Sequence, residues 1–214
     1  MCRLFVFAVV ACCGLPLTPA VAADPQLAAI SIHQSWRDEG APNGQCGGKM
    51  GEFETPFGQR SEVIKFDTDN REGGCMYRIA IVDPDGALAA RQWQLSIVFT
   101  PQGHIGQCKY PGRRVVPIVR KADDVADAWA APPWLDPIII DTDDRVGGCV
   151  MEFQITGLEA ARSPVLDIRY AADGDPAQCP QAGDKVVSLG HPAAMIIDTD
   201  NRPGGCLFQM RLRE

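Results

Sequence analysis

The chain has 214 residues, 46% of them hydrophobic, 22% charged and 7% aromatic, with 21 Gly and 17 Pro. That mixture is too apolar for intrinsic disorder, and it lacks the composition of collagen or a coiled coil. The formal net charge of −7 leaves no basic run to hold a phosphate backbone, so nucleic acid is excluded as a partner.

Residues 1–23 read as a secretory signal. Arg3 is followed by the apolar stretch Leu4 to Leu17 and by small residues at Ala20-Val21-Ala22-Ala23 ahead of Asp24. Gly14, Pro16 and Pro19 interrupt the run, which disfavours a retained membrane anchor. The expected mature region is 24–214, secreted or periplasmic and without a transmembrane anchor. A competing reading takes Val9-Val10-Ala11-Cys12 as a lipobox, with Cys12 the lipidated residue of an anchored lipoprotein. Without Arg3 the mature chain holds 19 basic and 27 acidic residues, a net charge of −8.

Three repeats follow, at 28–84, 92–157 and 164–214. Each opens with an alternating apolar run: Ile30-Ser31-Ile32, Leu95-Ser96-Ile97-Val98-Phe99, and Leu166-Asp167-Ile168-Arg169-Tyr170. A Gln-Cys pair comes next, at Gln45-Cys46, Gln107-Cys108 and Gln178-Cys179. Weaker strand signals then appear at Val115–Ile118 and Val186–Leu189. In the middle repeat, residues 121–134 are an insertion carrying Trp129 and Trp134. Asp123 or Asp124 is placed to cap a short helix there, stopped by Pro132, and a helical lid over the core is preferred to a contact loop.

The apolar runs Val63–Phe66, Ile138–Ile140 and Met195–Ile197 then lead into one shared string. It reads Asp67-Thr68-Asp69-Asn70-Arg71-Glu72-Gly73-Gly74-Cys75, Asp141-Thr142-Asp143-Asp144-Arg145-Val146-Gly147-Gly148-Cys149, and Asp198-Thr199-Asp200-Asn201-Arg202-Pro203-Gly204-Gly205-Cys206. After each Gly-Gly the chain alternates with period two, so that Cys75, Tyr77, Ile79 and Ile81 share a face, as do Cys149, Met151, Phe153 and Ile155, and Cys206, Phe208, Met210 and Leu212. The fold class is therefore all-β, with about four short antiparallel strands per repeat. A repeat of about 60 residues buries little by itself. This favours three units around a shared pseudo-threefold core, as in β-trefoil and β-prism folds, over three small stapled units in a row.

Six cysteines remain in the mature chain, two per repeat, and duplication implies the pairs Cys46 with Cys75, Cys108 with Cys149 and Cys179 with Cys206. None is left over as a nucleophile or zinc ligand. Within the motif, carboxylates at i and i+2 of an extended chain point to one side, roughly 7 Å apart. Arginine is placed to clamp them, and glycines allow the turn.

Four uses of this corner compete: a purely structural turn, calcium binding, sugar binding and protein binding. Calcium needs a third alternating oxygen, where the chain supplies Arg71, Arg145 or Arg202. No metal site and no cofactor are expected. Catalysis is disfavoured because the distinctive polar residues come in triplicate, while His33, His104 and His191 occupy unrelated positions and read as loop or surface residues. The expected function is that of a non-enzymatic recognition protein, lectin-like, binding glycans through Asp67, Asp69, Asn70, Arg71, Asp141, Asp143, Arg145, Asp198, Asp200, Asn201 and Arg202. The alternative is a structural module or one that binds an extracellular protein, in an inhibitor-like manner, with purely structural corners.

Overall fold

The computed structural model describes residues 24–39, 46–47, 50–67, 73–141, 146–158, 163–198 and 202–214. The signal segment and most of each motif turn lie outside the described residues. Antiparallel sheet dominates, as the alternating pattern requires.

Repeat one supplies β1 (Ser31–Asp38), β2 (Cys46–Gly47), β3 (Gly51–Pro56), β4 (Ile64–Asp67) and β5 (Gly74–Val82). Repeat two supplies β6 (Gln94–Gly103), β7 (Cys108–Lys109), β8 (Gly112–Val115), β9 (Ile118–Val119), β10 (Ile138–Asp141) and β11 (Gly147–Thr156). Repeat three supplies β12 (Val165–Gly174), β13 (Gly183–Val187), β14 (Ala193–Asp198) and β15 (Gly204–Arg213). The surplus over four strands per repeat lies in the two-residue strands β2, β7 and β9.

No sheet is built from one repeat alone. The first runs β3-β1-β5-β10-β7, with β9 added in parallel to β5; the second runs β14-β11-β6-β8; the third runs β13-β12-β15-β4-β2. In each, a long strand pair from one repeat accepts the strand that precedes the motif of another. Thus β10 of repeat two pairs with β5, β14 of repeat three pairs with β11, and β4 of repeat one pairs with β15. Apolar side chains of all three repeats meet in one buried cluster, including Trp36, Tyr77, Phe99, Phe153, Tyr170 and Phe208. Phe66 of β4 stacks on Phe208 with centroids 5.5 Å apart, and the Trp36 ring meets Phe66 edge-on at 4.5 Å.

Strands β11 and β15 bury the alternate residues anticipated from their pattern. Strand β5 departs from it, because Ala80 and Val82 on its second face are buried as well. The insertion explains this: its short helix Val125–Trp129 packs on β5. Trp129 and Trp134 are 7% and 1% exposed, and the Trp134 indole donates to Val115 O at 2.8 Å. The insertion is therefore a lid rather than a contact loop. Asp124 stands at the cap position without a side-chain cap bond. A stronger cap occurs at the first joint, where Asp83 accepts from the amides of Ala87 and Leu88 at 2.9 and 3.0 Å and starts the short helix Ala87–Ala90. Among the described residues no helix is long and apolar enough to cross a membrane.

Candidate functional site

The two motif glycines have different physical duties. Gly73, Gly147 and Gly204 have φ of 95°, 100° and 104°, a region that side chains avoid. The second glycine sits against a neighbouring strand: a Cβ on Gly74 would lie 2.5 Å from Ile140 O, and one on Gly148 would overlap Ile197 O. The first glycine thus serves the turn and, at Gly147 and Gly204, also abuts a carbonyl of the paired strand, while the second serves a close approach alone.

That close approach joins the motifs to one another. Asp141 is paired with Gly74, Asp198 with Gly148 and Asp67 with Gly205. The first aspartate of each motif therefore ends its strand beside the glycine pair of another repeat's motif. Three corners far apart in the chain become consecutive neighbours.

The glutamine of each described Gln-Cys pair fastens the turn. Gln178 is fully buried, and its Nε2 donates to Arg202 O at 2.7 Å and Pro203 O at 2.6 Å. Gln107, also fully buried, donates through Nε2 to Val146 O. Recurrence before each cysteine was the available signal for this role. Replacing Gln178 with Ala strips a buried donor from two carbonyls and is expected to lower stability by about 1 to 3 kcal/mol. Urea denaturation of that variant measures it, and an unchanged midpoint would remove the clamp.

The corner carboxylates are not equally open. Asp141 is 2% exposed and lies 3.7 Å from Lys109, which also holds Glu39 at 2.6 Å. Asp198 is half-buried, with Arg202 Nη1 3.4 Å from its Oδ2. In the third repeat the arginine thus reaches the first carboxylate through a single nitrogen. Lys65 pairs with Asp173 at 2.6 Å, an ion pair that sequence spacing does not suggest. Asp69, Asn70, Arg71, Asp143, Arg145, Asp200, Asn201 and the side chain of Asp67 lie outside the described residues. Of the histidines, His104 and His191 are exposed, whereas His33 stands on β1 with Glu54 3.5 Å away. Its position corrects the expectation of a loop or surface residue.

Cys108 is bonded to Cys149 and Cys179 to Cys206. The first bridge ties β7 in the first sheet to β11 in the second. Cys46 and Cys75, where the third bridge is expected, are both buried and are not bonded to each other in the structure. Their sulfurs and an Asp38 carboxylate oxygen lie within 4.8 Å of one another. Asp38 faces Cys75 across the strand pair, where Pro101 faces Cys149 and Ala172 faces Cys206. Asp38 also accepts from the Cys46 amide at 2.7 Å. Burial pushes the Cys46 thiol up from its ordinary value, and the Asp38 charge adds to this. A raised pKa leaves little thiolate to attack a disulfide.

No protein-family model matches the chain, and no curated protein or solved structure matches it.

Proposed function

We propose that the chain is a secreted, non-enzymatic recognition protein in which three repeats close into a prism-like, pseudo-threefold arrangement and bind carbohydrate through their joined corners. The pairing of each first aspartate with another repeat's glycine pair carries this reading. It gathers the acidic and amide groups of three copies, and several weak sites held together gain affinity through avidity. The first aspartate holds the corner, while Asp69, Asp143 and Asp200, with Asn70 and Asn201, accept from and donate to sugar hydroxyls. A triplicated polar set suits repeated recognition better than a single reaction centre.

Burial of Asp141 and the Asp198–Arg202 pair favour a second reading, in which the corners only hold the fold of a structural or protein-binding module. Changing only the second aspartates separates the two. Asp69→Asn, Asp143→Asn and Asp200→Asn should each weaken binding to an immobilised glycan array by a similar step, with melting temperature unchanged and with calcium chelation having no effect. Native-like binding in all three variants, or no glycan bound by the parent chain, would leave the corners structural. Loss of all binding through a single variant would defeat the multivalent scheme.

A further inference from the structure

A polar cavity of about 160 Å³ lies on the outer face of the third sheet, away from the motif corners, lined by Arg60, Asp167, Asp184, Lys185, Arg211 and Arg213. At about 30 Å³ per water it has room for one small ligand. Its floor is Asp167 on β12, only 7% exposed, which stands opposite Arg211 on β15 and Val186 on β13. One carboxylate oxygen, Oδ2, accepts from Arg211 Nε at 3.1 Å, from Arg211 Nη2 and from Arg213 Nε at 2.8 Å. The other, Oδ1, is buried with no hydrogen-bond partner. Burial works to raise this carboxyl, but hydrogen bonds from Arg213 and Arg211 prevail and hold it below its ordinary range. It is charged at neutral pH, and a buried charged acceptor left unpaired is costly.

Arg60 supplies the complementary deficiency. Its Nη1 is also buried without a partner. The segment that carries it is fastened along β15, since Ser61 N donates to Met210 O at 2.8 Å and Gln209 Nε2 donates to Ser61 O at 2.8 Å. Four cations thus face two carboxylates, a local positive excess on an acidic chain. A bare sulfate would meet the Asp167 charge without offering it a donor, and in hydrogen phosphate the donor hydroxyl sits on the anionic centre itself, which brings that charge to the carboxylate as well. A neutral sugar would leave the cationic rim unused. A ligand bearing both a negative charge and an adjacent hydroxyl answers both groups.

We propose that this cavity binds a hydroxylated carboxylate with the chemistry of a uronic acid. The carboxylate sits between Arg60 and Lys185, and a ring hydroxyl donates to Asp167 Oδ1. The site combines Arg60 of the first repeat with residues of the third and has no counterpart in the other two repeats. By strand register, the Asp167–Arg211 pair is replaced by Ser96–Gln154 in the second repeat and His33–Ala80 in the first. It therefore stands independently of the corner reading.

Calorimetric titration of the full mature chain tests the assignment, using glucuronate, a glucuronate-terminated disaccharide, methyl glucoside and inorganic phosphate as probes. Saturable binding of glucuronate is expected, weakened at least tenfold by Arg60→Ala and by Lys185→Ala with the melting temperature preserved, and unaltered by Arg113→Ala on the exposed edge strand β8 of the second sheet. Methyl glucoside and phosphate should bind at least tenfold more weakly than glucuronate. Comparable binding of the disaccharide would mark a terminal sugar of a glycan as the natural form, whereas its exclusion would mark the free acid. Absence of glucuronate binding, indifference to both substitutions, or equal binding of methyl glucoside or phosphate would overturn the proposal. Lys185 lies on the edge strand β13, so its removal keeps the test valid if the Arg60 variant fails to fold.

Discussion

Gly204→Ala is expected to destabilise the protein by at least about 3 kcal/mol, and Gly147→Ala similarly. Two costs coincide at these positions. The φ of 104° at Gly204 disfavours any side chain, and a Cβ there would overlap the carbonyl of Asp173 on the paired strand. Relief requires β12 and β15 to separate at the Gly174–Gly204 pair, which opens the ladder beside the Cys179–Cys206 bridge. Gly58 isolates the first cost, since its φ is 79° but a Cβ there would meet nothing within 4 Å. Gly58→Ala should therefore lose only about 1 to 2 kcal/mol. Guanidinium denaturation of both variants compares them directly. Equal losses would mean that the close approach contributes nothing.

Removing a bridge should have an effect of the same order. Serine at both Cys179 and Cys206 releases a loop of 27 residues, and serine at both Cys108 and Cys149 releases one of 41. Loop-closure entropy assigns about 3.5 and 4 kcal/mol to these cross-links. The remaining pair should behave differently in time. Cys46 and Cys75 hold the same place in their repeat, and an oxidising compartment should close them as a third bridge through exchange with a small-molecule disulfide. The raised Cys46 pKa and the burial of both thiols make that exchange slow. Peptide mapping without reduction, on samples quenched during oxidative refolding, should show Cys46 joined to Cys75 last. A bridge from either cysteine to another repeat, or closure of this pair before the other two, would contradict the assignment.

Much of the local structure was legible in the residue pattern. A period of two fixes which side chains of β11 and β15 face inward, because successive residues on a strand must point to opposite faces. Gly-Gly ahead of cysteine announces a turn. The strand exchange was not legible, since alternation reports that a face is buried and not which strand lies beside it. Burial of Asp141 was hidden for the same reason: Lys109, itself paired with Glu39, reaches it from an element that is distant in sequence. The cavity on the third sheet draws on Arg60, Asp167, Lys185 and Arg211, residues that no motif groups together. Trp129 and Trp134 were readable as core because a helical lid gives two large apolar rings somewhere to pack.

Strand exchange also dictates the order in which the chain can fold. Ile64 of β4 pairs with Phe208 of β15, 144 positions later, so β4 lacks this partner until the last strand has been made. Contacts this distant are reached only after a long loop has been closed, which slows folding. The Asp24 amide donates to Glu214 Oε1 at 3.3 Å, bringing the start of the described chain to its end. A partly synthesised chain consequently carries open sheet edges and cannot complete its core. Folding is completed only when the final strand is in place beside β4.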